Sequence, residues 1–356
     1  VGKCGSAGPR TGRLSDVLCY NPAVSSSIVP LEFFVEPVEA GSRLDRFVAK
    51  HCSELSRARV QVLIDSGLVL VDGKPAKPSQ KLKGKERISV QPLPRPPLKA
   101  EAEAIPLEVL YEDEDLIVVN KPAGMNVHAG AGSSKGTLVN ALLGRGQGLS
   151  NSADILRPGI VHRLDKDTSG AILIAKNDFA HQKLAEAFRT RGIEKTYLAL
   201  VQGKLGAKKG RIELAIARDP KARVKMTARP ASKLANARAA RTDWLVLQEL
   251  GPATLVEVQL HTGRTHQIRV HFSALKRPVV GDTLYGASPQ LAVGKTKLPA
   301  LGRQFLHAAR LSFAQPRTEK QITVTAPLAP ELKTYLEKLA AASGVGKIDA
   351  LLTGYL

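Results

Sequence analysis

Four prolines crowd into six residues, at Pro92, Pro94, Pro96 and Pro97. Each fixes its own φ and lacks a backbone donor, so neither a helix nor an interior strand can run through this stretch. A chain of 356 residues is also long enough for more than one core. The prolines therefore mark a boundary, with residues 92–104 as a semi-rigid linker. A small domain over 41–91 precedes it and a large one over 105–328 follows. Residues 1–40 begin rich in Gly, Ser and Arg, with no acid before Asp16. They are read as a disordered or targeting segment. Residues 329–356 are read as a helix near Glu331 to Ala342 and an apolar tail of no evident purpose.

The small domain has α+β patterning. Leu44, Phe47 and Val48 are spaced for one helix face. Ser56 suits the cap of a second helix, which carries Val60, Leu63 and Ile64 on one side and Arg57 and Arg59 on the other. Gly67 ends it. Leu68 to Val71 reads as a strand, Asp72-Gly73 as a hairpin turn, and Ile88 to Val90 as a closing strand. In the large domain, apolar strands at Leu116–Val119, Gly170–Ala175, Thr196–Val201 and Thr254–Leu260 alternate with helical patterns such as His181 to Arg191. The expected fold class is α+β, with a mixed, largely antiparallel sheet flanked by helices.

The formal net charge of +20 is spread along the chain, which points to a polyanion such as nucleic acid; an anionic membrane is the alternative. Aromatic residues are 4% of the chain, so charge should dominate that contact. No apolar run approaches the length of a membrane span, and a soluble protein is expected. Cys4, Cys19 and Cys52 are odd in number and lack metal spacing, as reduced intracellular thiols would. That fits the cytoplasm of a bacterium, or a chloroplast or mitochondrion if the basic N-terminus is an address. There is no dinucleotide fingerprint and no phosphate-binding P-loop.

Two stretches carry chemistry. Gly159 to Gly170 includes His162-Arg163-Leu164-Asp165-Lys166-Asp167 just ahead of a buried strand, the kind of loop that holds catalytic residues. Taken alone, Asp165 is as well explained by a backbone-capping role in a turn. Thr262 to His271 holds Arg264, Arg269, His266 and His271. A third ligand at a metal spacing is missing, so a metal is not expected. Ile268, Val270 and Phe272 alternate with the charges and imply a half-buried strand. A buried Arg269 needs an anion, and Asp165 is the natural candidate.

Arg43-Leu44-Asp45, Ser56-Arg57-Ala58-Arg59 and Val69 to Lys74 resemble the α-L RNA-binding module shared by a ribosomal small-subunit protein and many RNA-modifying enzymes. Gly84-Lys85-Glu86 departs from it, since the family usually has an acid directly after the glycine. The rest, to about 328, resembles the RluA family of RNA pseudouridine synthases and its RluD-like branch. The matching blocks are Glu114 to Met125, His162 to Gly170, Lys195 to Ala199, Thr262 to His271, Pro278 to Asp282 with Tyr285-Gly286, and Leu306-His307-Ala308.

The resemblance implies that Asp165 is the essential aspartate, that Tyr197 packs on the target base and that Arg269 pairs with the aspartate. It further implies that Arg163 fills the gap left by a flipped nucleotide. Arg57, Arg59, Lys74, His162 and Arg264 are the further RNA-contact candidates, and the basic stretch from Lys204 to Arg241 is a candidate RNA-facing surface. No cofactor and no metal are implied. The expected partner of this monomer is large-subunit ribosomal RNA or its precursor particle. Two other readings are a non-catalytic RNA-binding or assembly factor on the same fold, and a sugar-cleaving hydrolase using Asp165 with a second acid such as Asp167.

Overall fold

A computed structural model describes residues 30–52, 57–91, 101–129, 135–146, 148–150, 157–220, 222, 224–233, 236–346, 348 and 352–355, with backbone only at 57–59 and 62. The chain divides into two compact units between Pro96 and Pro97. The proline stretch itself and Ser56 lie outside the described residues.

The N-terminal unit contains β1 (Leu31–Phe34), α1 (Leu44–His51), α2 (Arg57–Asp65), β2 (Val69–Val71), β3 (Lys74–Pro75) and β4 (Arg87–Val90). Its sheet runs β1-β4-β2-β3, all antiparallel. Asp72 and Gly73 both have positive φ, as a two-residue hairpin turn requires. Leu44, Phe47 and Val48 pack with Val60, Leu63 and Ile64 against Val69, Ile88 and Val90. The unit starts about ten residues earlier than its helical pattern suggests, because β1 pairs with β4. Leu31-Glu32-Phe33-Phe34 is an edge strand of mostly exposed residues, so it lacks the alternation that would reveal it. At the departure Gly84-Lys85-Glu86, Glu86 Oε1 accepts the backbone N–H of Lys83 at 2.5 Å and closes the turn from the residue after Lys85.

The second unit contains β5 (Glu108–Glu112), β6 (Leu116–Lys121), α3 (Leu138–Gly144), β7 (Ser169–Ala175), α4 (Asp178–Thr190), β8 (Glu194–Gln202), β9 (Lys209–Ile212), β10 (Ala215–Arg218), β11 (Met226–Arg229), β12 (Thr242–Leu250), β13 (Ala253–Leu260), α5 (Gln267–Ala274), β14 (Ala292–Val293), β15 (Thr296–Lys297), β16 (Leu306–Ala314), β17 (Gln321–Thr325) and α6 (Pro330–Ala342). One large sheet runs β5-β6-β7-β16-β8-β13-β12-β9, with β17 on β16. Every pairing in it is antiparallel except the short parallel step from β7 to β16. The sheet is thus mixed and largely antiparallel.

Near-continuous apolar runs make β6 and β7, because both faces of the sheet are covered. Ile117, Val119, Ile172 and Ile174 join the larger core, whereas Leu116, Val118, Ala171, Leu173 and Ala175 pack on the opposite face with Ala180 and Leu184 of α4. Asn177 caps α4 through its side chain, which accepts the N–H of Ala180. The apolar C-terminal tail has a place as well: Ile348, Leu352 and Tyr355 are buried in the larger core beside Leu332, Leu336 and Leu339 of α6. At the linker's far end, Glu103 bonds to the carbonyl of Asn140, so the second unit begins ahead of residue 105.

The parallel step matters most for function. Ser169 and Gly170 lie opposite His307 and Ala308, where the loop before β7 enters the sheet. Gly170 has φ +113°, and a Cβ there would fall 2.2 Å from the carbonyl oxygen of Ala308. Only glycine lets the two backbones approach this closely.

Candidate active site

The loop from His162 to Thr168 is held by its backbone. Its turn closes through the N–H of Thr168 on the Asp165 carbonyl at 3.1 Å. Lys121 Nζ donates to the Lys166 carbonyl at 3.0 Å, and Arg303 Nη1 to the Asp167 carbonyl at 3.0 Å. Three successive carbonyls therefore have three separate donors. Lys121 is fully buried and also donates to the carbonyls of Pro122 and Met125. Burial pulls its ammonium down to about 7, against the charges of Asp167 and Asp165, while its three acceptors favour the charged form. Arg303 reaches on to Ser169 Oγ and to Glu331 of α6, which ties the loop to the C-terminal helix.

The turn closes through a carbonyl, so the Asp165 side chain is free to face a cleft of about 360 Å³. Asp165 Oδ2 accepts from Arg269 Nη1 at 3.1 Å. The other edge of that guanidinium grips Asp282, with Nε to Oδ2 at 2.7 Å and Nη2 to Oδ1 at 3.0 Å. Tyr285 lies across its face, 5.0 Å from guanidinium carbon to ring centroid. Burial opposes the charge of Arg269, but the two Asp282 bonds and the Asp165 carboxylate outweigh it and drive the pKa up. This arginine is a fixed cation at the end of the cleft.

Arg269 does not lie on a strand. Residues 267–274 form the short helix α5, entered through His266 in the left-handed conformation. The expected strand fails because the first six residues of α5, Gln267 to Phe272, are all buried. Ile268 and Phe272 face the larger core and Val270 a separate cluster. The apolar alternation thus comes from two cores on two sides of one helix. Gln267 knits the entry loop, accepting from Thr262 Oγ1 and the N–H of Arg264 and donating to the Arg241 carbonyl.

Tyr197, on β8 between Val258 of β13 and Ala308 of β16, is buried in the cleft wall. Burial first, then the charge of Asp165, pushes its phenol upward, so it keeps its proton near neutral pH. His162 is also in the wall. Its Nε2 accepts the N–H of Leu173 at 2.9 Å and its ring stacks on Phe188 at 4.6 Å. Burial takes its pKa down to about 3, which favours the neutral ring.

Arg163 is exposed at the lip. Arg264 is half-buried and donates to the Ala239 carbonyl at 3.3 Å. Lys74 is exposed on β3 of the N-terminal unit, and the side chains of Arg57 and Arg59 lie outside the described residues. In the basic stretch, Arg211 is committed to Asp243 at 3.1 Å, and Lys221 and Arg223 lie outside the described residues. The structure therefore brings Asp165, Arg269, Tyr197, Arg163, His162 and Arg264 to one cleft. Asp282, Tyr285, His266 and Lys195 complete its wall or its supports, and sequence reasoning gave none of them a role. The signal available was the family-like block of Pro278 to Asp282 with Tyr285-Gly286 after α5, with no partner to assign to either residue.

The comparisons decide the family. A profile described as RNA pseudouridylate synthase matches residues 115–274, and one for the S4 domain matches 42–88. An uncharacterized RNA pseudouridine synthase of Chlorobaculum parvum is 42% identical over 318 residues, covering 86% of this chain and 96% of that protein. The chain belongs to the RNA pseudouridine synthases. The ribosomal large subunit pseudouridine synthase D of Xanthomonas campestris is 41% identical over 305 residues, covering 84% of this chain and 89% of that one. The solved structure of human RNA Pseudouridylate Synthase Domain Containing 4 superposes with a TM-score of 0.53 at 28% identity, covering 65% of this chain and 92% of that one. The protein is an isomerase of the RluA family acting on RNA, with an S4 domain ahead of its catalytic domain. Among the described residues no helix is long and apolar enough to cross a membrane.

Proposed function

We propose that this synthase isomerises uridines of large-subunit ribosomal RNA, with Asp165 as its catalytic carboxylate. The observation that carries the assignment is the chain Asp165–Arg269–Asp282 at the end of the cleft. It gives one carboxylate a fixed cationic neighbour while leaving it open to a ligand. The reaction breaks the bond from uracil N1 to ribose C1′, turns the base and joins C5 to C1′; C5 gives up its proton and N1 takes one up. It needs no redox step. Asp165 either attacks C1′ as a nucleophile or stabilises charge on the sugar and removes a proton from C2′.

Tyr197 offers its ring to the uracil, and its protonated hydroxyl can donate to the turning base. The uridine leaves its stack to enter the cleft, which costs a few kcal/mol. Arg163, at the lip, stacks in the space it vacates. Arg264 and the N-terminal residues Arg57, Arg59 and Lys74 bind phosphates. The large-subunit target rests on the 41% identity to the Xanthomonas enzyme of that name.

Tritium release from RNA labelled at uracil C5 tests the substrate. The expected result is release from large-subunit ribosomal RNA and none from small-subunit RNA or tRNA. Release from tRNA alone would overturn the target.

A further inference from the structure

His266 has φ +55°, a left-handed conformation uncommon outside glycine, though one that histidine adopts more readily than most residues. The conformation sets its imidazole between Tyr285 and Asp165. Nδ1 lies 2.8 Å from Tyr285 Oη, and Nε2 lies 3.9 Å from Asp165 Oδ2. Tyr285 Oη accepts the backbone N–H of Met226 at 2.8 Å and keeps its own proton to donate, while an Nε2 lone pair aimed at the Asp165 carboxylate would be repelled, so the network assigns the tyrosine proton to Nδ1. An imidazole that accepts at Nδ1 carries its proton on Nε2. That N–H faces the carboxylate. Burial lowers the pKa of His266, with Arg269 and Arg163 acting in the same sense and Asp165 and Asp282 against it. The shift favours the neutral ring.

We propose that His266 is a positioning residue for Asp165. Its Nε2–H and the Nη1–H of Arg269 converge on the same oxygen, Oδ2, and leave Oδ1 to act on the ribose. The inference rests on Asp165 being the catalytic carboxylate. At 3.9 Å the histidine contact is open, and it closes to a hydrogen bond as RNA fills the cleft, as catalytic contacts commonly do. Neutral His266 thus orients the carboxylate without adding a second positive charge that would weaken it as a nucleophile or base.

A purely conformational role makes a different prediction. Asparagine is the non-glycine residue best suited to positive φ, and glutamine is not. The amide nitrogen of glutamine, however, reaches the position of Nε2, whereas that of asparagine reaches only Nδ1. Single-turnover conversion at saturating RNA separates the two. His266→Ala and His266→Asn should each fall about tenfold or more, short of the 10²–10³ of a direct oxyanion donor, with RNA Kd nearly unchanged. His266→Gln should recover to within about threefold of the native rate.

Tyr285→Phe keeps the ring over Arg269 and loses the hydroxyl that sets the tautomer, so its rate should fall partway. An asparagine variant at native rate with a slow glutamine variant would overturn the proposal. So would native rates in all three His266 variants, or in Tyr285→Phe. Asp165→Asn is run alongside. Turnover in that variant would sink the assignment of Asp165 itself, whereas a dead Asp165→Asn with native His266 variants would sink only the role of His266.

Discussion

The floor and the rim of the cleft are built on opposite principles. At the floor, Asp165, Arg269 and Asp282 are linked by directed bonds, Tyr285 covers the guanidinium, and three carbonyls of the loop from His162 to Thr168 have dedicated donors. At the rim, Arg163 is exposed. The floor must hold one carboxylate to within a fraction of an ångström, and buried charge pairs do this at a desolvation cost. The rim must grip a flexible polyanion, and solvated charges do that with little need for geometry. Variants of the floor should therefore lose rate or stability while binding persists, and variants of the rim should lose affinity in a salt-dependent way.

The largest stability effect is expected at Asp282, 2% exposed and doubly bonded to Arg269. Asp282→Ala leaves a buried guanidinium short of its partner and should cost about 3–5 kcal/mol in urea unfolding. A loss under 1 kcal/mol would mean that the floor is less rigid than drawn.

Gly170→Ala comes next. Its φ of +113° and the 2.2 Å approach of the Ala308 carbonyl should cost about 2–3 kcal/mol and slow catalysis by displacing the loop. A neutral substitution would break the link between the parallel step and the site.

A smaller effect belongs to Asp115, buried behind β6. Arg317 bonds to it first and foremost, and its carboxyl is held down to about 2. Its folded pKa lies below its unfolded one, about 3.9, so its contribution is complete above that value and is lost as pH falls through about 2. Asp115→Asn should flatten the acid limb of the stability curve there.

The smallest effect is at the rim and the basic stretch. Lys208→Ala or Arg163→Ala should each reduce the slope of log K against log salt by about 1, and Arg163→Ala alone should also slow single turnover. If Lys208→Ala slowed chemistry instead, floor and rim would not be separable.

The sequence was informative where local pattern and chemistry coincide. β6, β7, β8 and β13 are runs of apolar residues with no other use, and Asp165 before β7 was visible as a loop acid. Its capping alternative could not be removed without coordinates, which show the turn closing on the Asp165 carbonyl. The pairing of Arg269 with Asp165 followed from the rule that a buried arginine needs an anion, but its stronger partner, Asp282, did not. Thirteen positions separate them, and only the fold of the loop after α5 joins them. The helix α5 was misread because two cores on opposite sides produce an alternation of period two. β1 escaped notice because an exposed edge strand has no buried face to mark it. The setting of His266 between Tyr285 and Asp165 joins residues from three separate stretches, a contact that no residue pattern encodes.

The central claim is that the chemistry depends on the Asp165 carboxylate while RNA binding does not. Single-turnover conversion by Asp165→Asn, measured together with its RNA Kd, tests this most directly. The account predicts no detectable pseudouridine and a Kd within about twofold of native, because a neutral amide keeps the shape and adds no charge to the rim. Pseudouridine formed at a measurable fraction of the native rate would contradict it.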